Sequence, residues 1–214
     1  MKRTNYFVIL VLTVVFSVSC STLFARGGYG VNTVKVGYFN PKDAKGGLML
    51  GAVLGSAMDE AVDVGIGIDF FRGSNSKETP TGEATIAGVT EKGSRLDAES
   101  SSTIVPITAQ VNVKIPASYT LFYTIGGGVG YEMLWTKEKE FSETGDVTDA
   151  NSRFYHGMRW VVNAGILYKL GSRSSLLIEG FYDGSKLSRK DNNITYKVDP
   201  SGFGIRGGIR FGIL

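Results

Sequence analysis

Hydrophobic and polar positions alternate with a period of two along most of the chain beyond residue 30. In 61–71, Val62, Val64, Ile66, Ile68 and Phe70 share one face, and Asp63, Gly65, Gly67 and Asp69 share the other. In 103–115, Val105, Ile107, Ala109, Val111, Val113 and Ile115 oppose Pro106, Thr108, Gln110, Asn112 and Lys114. Near the C-terminus, Phe203, Ile205, Ile209, Phe211 and Ile213 oppose Gly204, Arg206, Gly208, Arg210 and Gly212. Side chains leave a strand on alternate sides, so each segment has one apolar and one polar face. Eight segments read this way: 31–40, 47–58, 61–72, 102–115, 119–134, 154–170, 174–186 and 202–213. Tight turns at 59–60, 116–118 and 171–173 alternate with longer links at 41–46, 73–101, 135–153 and 187–201. The last three links are rich in charge, Ser, Thr, Asn and Gly. Short turns on one rim and long loops on the other predict an all-β, eight-stranded antiparallel up-and-down transmembrane β-barrel over residues 26–214. Both termini fall on the short-turn rim, so the long loops are expected outside the cell.

A soluble barrel also alternates, with its apolar face turned inward around a ligand. Three observations favour the inverted arrangement. The polar face is dominated by Gly with scattered charges, and Gly saves space in a narrow interior. Large apolar faces occur on all eight segments. Aromatics on the apolar face recur eight residues apart: Tyr123 with Tyr131, Trp160 with Tyr168, and Phe203 with Phe211. Eight residues of tilted strand rise roughly 20 Å, near the ~25 Å apolar band that aromatic girdles border. Tyr38, Phe70 and Tyr182 fall in with the same girdle.

Composition agrees with strands. Gly is 29 of 214 residues and Pro only 5, with aromatics at 11%. The formal charge is +3, and Lys2 and Arg3 supply two of those charges. A basic excess that would attract nucleic acid is therefore missing. Those two residues open an N-terminal segment whose apolar run, Tyr6 to Phe16, is too short for a spanning helix of roughly 20 residues. Ser17, Ser19 and Ser21 follow it. This pattern predicts a secretory signal over residues 1–25, cleaved after about residue 19 or 25 and exported by the Sec route. Cys20 sits where a lipoprotein signal carries its acylated Cys, but Ser17 stands where such a signal usually has Leu.

The stretch Ile104-Val-Pro-Ile-Thr-Ala-Gln-Val-Asn-Val113, a short turn, and Tyr119 through Gly126-Gly-Gly-Val-Gly-Tyr131 resembles the small outer-membrane β-barrel family, OmpA-like and opacity-protein-like. The resemblance spans about residues 30–214, and Trp160–Asp183 is similar as well. It implies an eight-stranded barrel in the bacterial outer membrane. It implies no single activity, since members are adhesins, surface antigens, envelope-stabilising proteins or minor pores. The final segment, Arg206 to Ile213, resembles the last-strand signal read by the outer-membrane assembly machinery, although Leu214 trails it where an aromatic is usual.

The polar face predicts a lumen holding Lys35, Lys114, Arg159, Lys169, Arg206 and Arg210 with Asp63, Asp69, Glu132, Glu179 and Asp183. An eight-stranded interior is just wide enough for side chains to fill, and unpaired charge there is costly. Near-neutral pairing is therefore expected to plug the lumen, with Glu179 paired to Arg206 or Arg210. Enzyme signals are weak. His156, the single His, lies near the outer rim in Phe154-Tyr-His-Gly-Met, and Ser152 shares its parity but falls in a loop. Gly126–Gly130 continues strand periodicity instead of opening a helix, which disqualifies it as a phosphate loop. No Cys/His metal spacing occurs, and Glu138, Glu140, Glu143 and Asp146 read as solvated loop charge. No cofactor is expected. The leading expectation is a non-enzymatic outer-membrane barrel with a structural or surface-interaction role. Its partners are membrane lipid, the assembly machinery and an extracellular partner met through 73–101, 135–153 and 187–201. The alternatives are a soluble or lipid-anchored barrel holding an apolar ligand, a minor pore, and a lipid-modifying enzyme.

Overall fold

The computed structural model describes the backbone of residues 29–86, 89–141, 147–191 and 194–213. The expected signal segment 1–25, including Cys20, lies outside the described residues. Among the described residues ten strands follow in order: β1 Tyr29–Pro41, β2 Gly47–Ala57, β3 Val62–Ile86, β4 Val89–Pro116, β5 Leu121–Phe141, β6 Val147–Lys169, β7 Ser174–Ser185, β8 Leu187–Asp191, β9 Ile194–Val198 and β10 Gly202–Ile213. Eight of them form one antiparallel ring in the order β5-β4-β3-β2-β1-β10-β7-β6, and the pairing of β5 with β6 closes it. The first and last strands meet from Gly30 opposite Ile213 to Pro41 opposite Gly202.

The short turns are stabilised locally. The Asp59 carboxylate accepts the Ala61 and Val62 amides at 2.7 and 2.6 Å. The Ser118 hydroxyl accepts the Leu121 amide at 3.2 Å. Leu170 N–H donates to the Ser174 carbonyl at 2.9 Å. Asp and Ser suit such turns because their side chains replace the missing ladder partners.

The expected loops 73–101, 135–153 and 187–201 need correction, because much of each is strand. β3 and β4 pair from Val62 opposite Val113 to Ile86 opposite Val89, with a break at Asp69 and Phe70 and register shifts at Lys77/Glu78 and Pro80/Gly82. β5 and β6 likewise pair out to Phe141 opposite Val147. Within 187–201, β8 and β9 form a separate hairpin that joins β6 at His156 opposite Ser188. These extensions stand beyond the body of the barrel. Residues 73–101 and 135–153 are dominated by charged and small polar residues at both parities, so the alternation that reveals a strand in sequence is missing there.

The faces of the ring are inverted relative to a soluble barrel. Each barrel strand turns large apolar residues outward, among them Val34, Leu50, Ile66, Val111, Ile125, Val162, Ile178 and Ile205, all exposed. The inward side holds Thr33, Lys35, Asp69, Thr108, Gln110, Glu132, Arg159, Asn163, Glu179 and Arg206, all buried. A soluble barrel around an apolar ligand requires the reverse. Outward residues of this kind need a hydrocarbon solvent, and a closed barrel leaves no backbone edge unpaired within it. Among the described residues there is no helix.

Glycine makes the polar interior possible. Large inward side chains stand opposite Gly on the adjacent strand: Asp69 opposite Gly51, Arg206 opposite Gly37, Glu179 opposite Gly165, and Asn112 opposite Gly126. A Cβ on Gly51 would collide with the Asp69 carboxylate, and one on Gly126 with the Asn112 amide. Register thus pairs large with small around the ring, which fills a narrow barrel without strain.

Candidate functional site

Three layers fill the lumen between the short-turn rim and the long-hairpin rim. Nearest the short turns, Asp63 binds two cations, with Lys114 Nζ at 2.9 Å and Arg210 Nη2 at 2.8 Å. The middle layer centres on Glu179. Its Oε1 accepts from Lys35 Nζ at 2.7 Å and from Arg206 Nε at 2.5 Å. Its Oε2 accepts from Asn163 Nδ2 at 3.0 Å, and Asn163 also reaches Asn112 Oδ1. Of the two partners expected for Glu179, Arg206 takes it and Arg210 turns to Asp63.

Arg206 connects upward, with Nη1 3.3 Å from Asp69 Oδ1. The third layer is organised by Arg159, whose side chain is 1% exposed. Its Nε lies 2.5 Å from Asp183 Oδ2 and 3.6 Å from Glu132 Oε2. Its Nη1 donates to Thr108 Oγ1 at 2.9 Å and lies 3.5 Å from Asp69 Oδ2. Ser185 Oγ donates to Glu132 at 3.2 Å. Lys35, Lys114, Arg159, Arg206 and Arg210 therefore share one space with Asp63, Asp69, Glu132, Glu179 and Asp183, five of each sign. Lys169 departs from the expected set. It is exposed at the short-turn rim, where its Nζ lies 4.5 Å from the centroid of the Phe122 ring.

The layer toward the long hairpins was absent from the sequence expectation. Phe39, Met49, Phe71, Ile104, Leu134, Tyr155, Phe181 and Leu187 form a buried apolar cluster there. Phe39 meets Phe71 edge-on at 5.4 Å and stacks on Phe181 at 5.6 Å. The Arg206 guanidinium lies 4.5 Å from the Phe181 ring and joins the charged layers to this cap. The β8–β9 hairpin contributes Leu187, 1% exposed, and packs Val198 against the cluster. Its base is tied down by two hydrogen bonds: Ser185 N–H donates to the Ser201 hydroxyl, which donates back to the Ser185 carbonyl, each at 3.0 Å. Asp199 N–H donates to the Asp43 carboxylate at 2.8 Å and ties the hairpin to the β1–β2 link. Hydrogen bonds from Ser201 hold the Asp199 carboxyl below the usual carboxylate range.

Outside the ring, Tyr38, Phe70, Tyr131, Trp160, Tyr182 and Phe203 lie toward the long hairpins, while Tyr123, Tyr168 and Phe211 lie toward the short turns. Tyr182 sits between Trp160 and Phe203, at 5.5 and 4.6 Å. His156 also faces outward. The Tyr131 hydroxyl is 2.5 Å from its Nδ1, and its ring neighbours Phe154 at 5.6 Å. Of the acidic loop residues, Glu138 pairs with Arg153 at 3.3 Å. Glu143 and Asp146 lie outside the described residues, and the Glu140 side chain is not described.

No protein-family model matches the sequence, and no curated protein matches it. Solved structures do match the fold. Neisserial surface protein A (NspA) is similar with a TM-score of 0.51 at 11% identity, over 87% of this chain and 99% of that one. The outer-membrane protein OprG from Pseudomonas aeruginosa is similar with a TM-score of 0.50 at 10% identity, over 87% and 96%. The chain therefore has the fold of the small outer-membrane β-barrels, as its sequence resemblance implied.

Proposed function

We propose that this chain is a non-enzymatic bacterial outer-membrane protein whose plugged barrel serves as a rigid mount for hairpins displayed outside the cell. One observation carries this reading: the lumen is filled at successive levels by paired charges and then by an apolar cap, while strands β3 to β6 run on beyond the barrel wall. Short turns face the periplasm in such barrels and longer connections face outward. The displayed part is then the β3–β4 and β5–β6 extensions with the β8–β9 hairpin, an adhesin-like or antigen-like surface. Among the described residues β9 pairs only with β8, and Ile194 and Tyr196 on it are exposed. Such an edge offers free backbone groups to an extended partner. The N-terminal signal would deliver the chain by the Sec route. The seam of β10 on β1 would be closed by the assembly machinery, with outer-membrane lipid against the apolar wall.

A minor pore requires a continuous aqueous path, and the layered lumen argues against one. Refolded protein in a planar bilayer is expected to give no discrete conductance steps. Regular ohmic steps from the unmodified chain would overturn the plugged reading. The display role is tested by bacteria expressing the full chain or a variant in which Asn75–Ser100 is replaced by Asn-Gly. That junction follows the paired Ser74 and Ser101, and Asn-Gly suits a two-residue hairpin. The full chain is expected to raise attachment to cultured cells at least severalfold, and the trimmed variant to lose that gain while keeping its heat-dependent gel mobility. Equal attachment by both would remove the β3–β4 hairpin from the function. No gain by either would overturn the display role.

A further inference from the structure

The lower lumen contains a chamber of about 40 Å³, between the Asp63 and Glu179 layers. That is roomier than the ~10–15 Å³ needed by one water. Among the described residues, two buried residues that line it carry a side-chain atom with no hydrogen-bond partner: Thr124 Oγ1, and Gln110 Nε2, which lies toward Gly67. Both residues are 6% exposed. A buried polar group left unmet is costly, so such an atom implies a bound species.

Charge indicates which species. The carboxylates that face the chamber are Asp63 and Glu179. Asp63 is shared by Lys114 and Arg210, which leaves one positive charge in surplus in that layer. Both Glu179 oxygens are occupied by Lys35, Arg206 and Asn163, so no carboxylate is left over for a cation. The chamber shares the walls Val31, Lys114, Leu167 and Arg210 with a wider vestibule of about 580 Å³ at the short-turn rim. Lys169 and Arg173 line that vestibule, along with Asp59 and Glu60. The Asp59 carboxylate already holds its own turn.

We propose that this chamber binds a small monovalent anion of chloride size, admitted from the short-turn rim and held by the Thr124 hydroxyl and the Lys114 ammonium, whose residues stand opposite each other on β5 and β4. The anion neutralises the surplus of the Asp63 layer and satisfies the orphaned Thr124 hydroxyl. It thereby links the folded barrel's stability to halide. The proposal is independent of any role of the outer hairpins.

Thermal unfolding of the full chain in micelles, at fixed pH and ionic strength, is compared in bromide or chloride and in gluconate. A ligand that binds only the folded state raises the unfolding temperature saturably. A halide-specific rise of several degrees is expected. Thr124→Val and Lys114→Met are expected to abolish it, the second because Asp63 and Arg210 then form a neutral pair. Crystals grown in bromide should show an anomalous peak inside the chamber. Equal unfolding temperatures in halide and gluconate would overturn the proposal, as would a chamber holding water alone. If either variant fails to fold, the bromide map of the unmodified chain decides.

Discussion

Arg159→Met is expected to destabilise the barrel by ~3–5 kcal/mol, the cost of removing one partner from a buried ion pair. The guanidinium is the hub of the uppermost charged layer, within hydrogen-bonding or ion-pair reach of Asp183, Thr108, Asp69 and Glu132. Asp69 retains Arg206 without it. Glu132 and Asp183 do not, and two carboxylates would remain beneath an apolar cap with Ser185 as the nearest donor to Glu132. Water cannot readily compensate, because Phe39, Phe71 and Phe181 close that end. The variant Arg159→Met/Glu132→Gln/Asp183→Asn is expected to recover much of the loss, since it removes both orphaned charges. Urea unfolding from lipid vesicles measures both, through the midpoint at unchanged slope. A single substitution costing under ~1 kcal/mol would show that the layer is hydrated and not a packed network.

The alternation made the ring legible because each barrel strand separates two solvents, hydrocarbon outside and a polar lumen inside. The charged lumen positions followed from the same parity. Lys169 shares the parity of Arg159, but it lies at the last position of β6, past the layers that would pair it. The apolar cap escaped because Phe39, Phe71 and Phe181 share a face with the charges. A local signal for it exists. Tyr38-Phe39, Phe70-Phe71, Leu134-Trp135, Phe154-Tyr155 and Phe181-Tyr182 are doublets of large apolar or aromatic residues, all at the long-hairpin end of their barrel segments. In a strand a doublet places one member on each face. The outward members are at the girdle level, and the inward members Phe39, Phe71, Leu134, Tyr155 and Phe181 form the cap. The β3–β4 and β5–β6 extensions left no comparable trace, because their sequence is polar at both parities. The pairing of particular charges depends on reach across a third strand, as when Lys35 passes Gly208 to Glu179. Parity does not encode that reach.

Ala164→Arg separates a membrane barrel from a water-facing one. Ala164 faces outward midway between Trp160 and Tyr168, the two girdle aromatics of β6. If those rings mark the two interfaces, position 164 lies at the bilayer midplane. An Arg on the lipid face there costs ~2–4 kcal/mol, falling to ~0–1 kcal/mol near the interface. Tyr168→Arg is the matched control on the same strand and face. The steep difference between these positions depends on the solvent outside the ring. On a barrel in water, an exposed Ala→Arg change would fall within about 0.5 kcal/mol of neutral, at either height. Reversible urea unfolding in vesicles is expected to rank Ala164→Arg well below Tyr168→Arg. Equal small losses at the two positions would place water, and not hydrocarbon, against Val162, Ala164 and Ile166. The outward apolar wall would then need a protein partner to cover it.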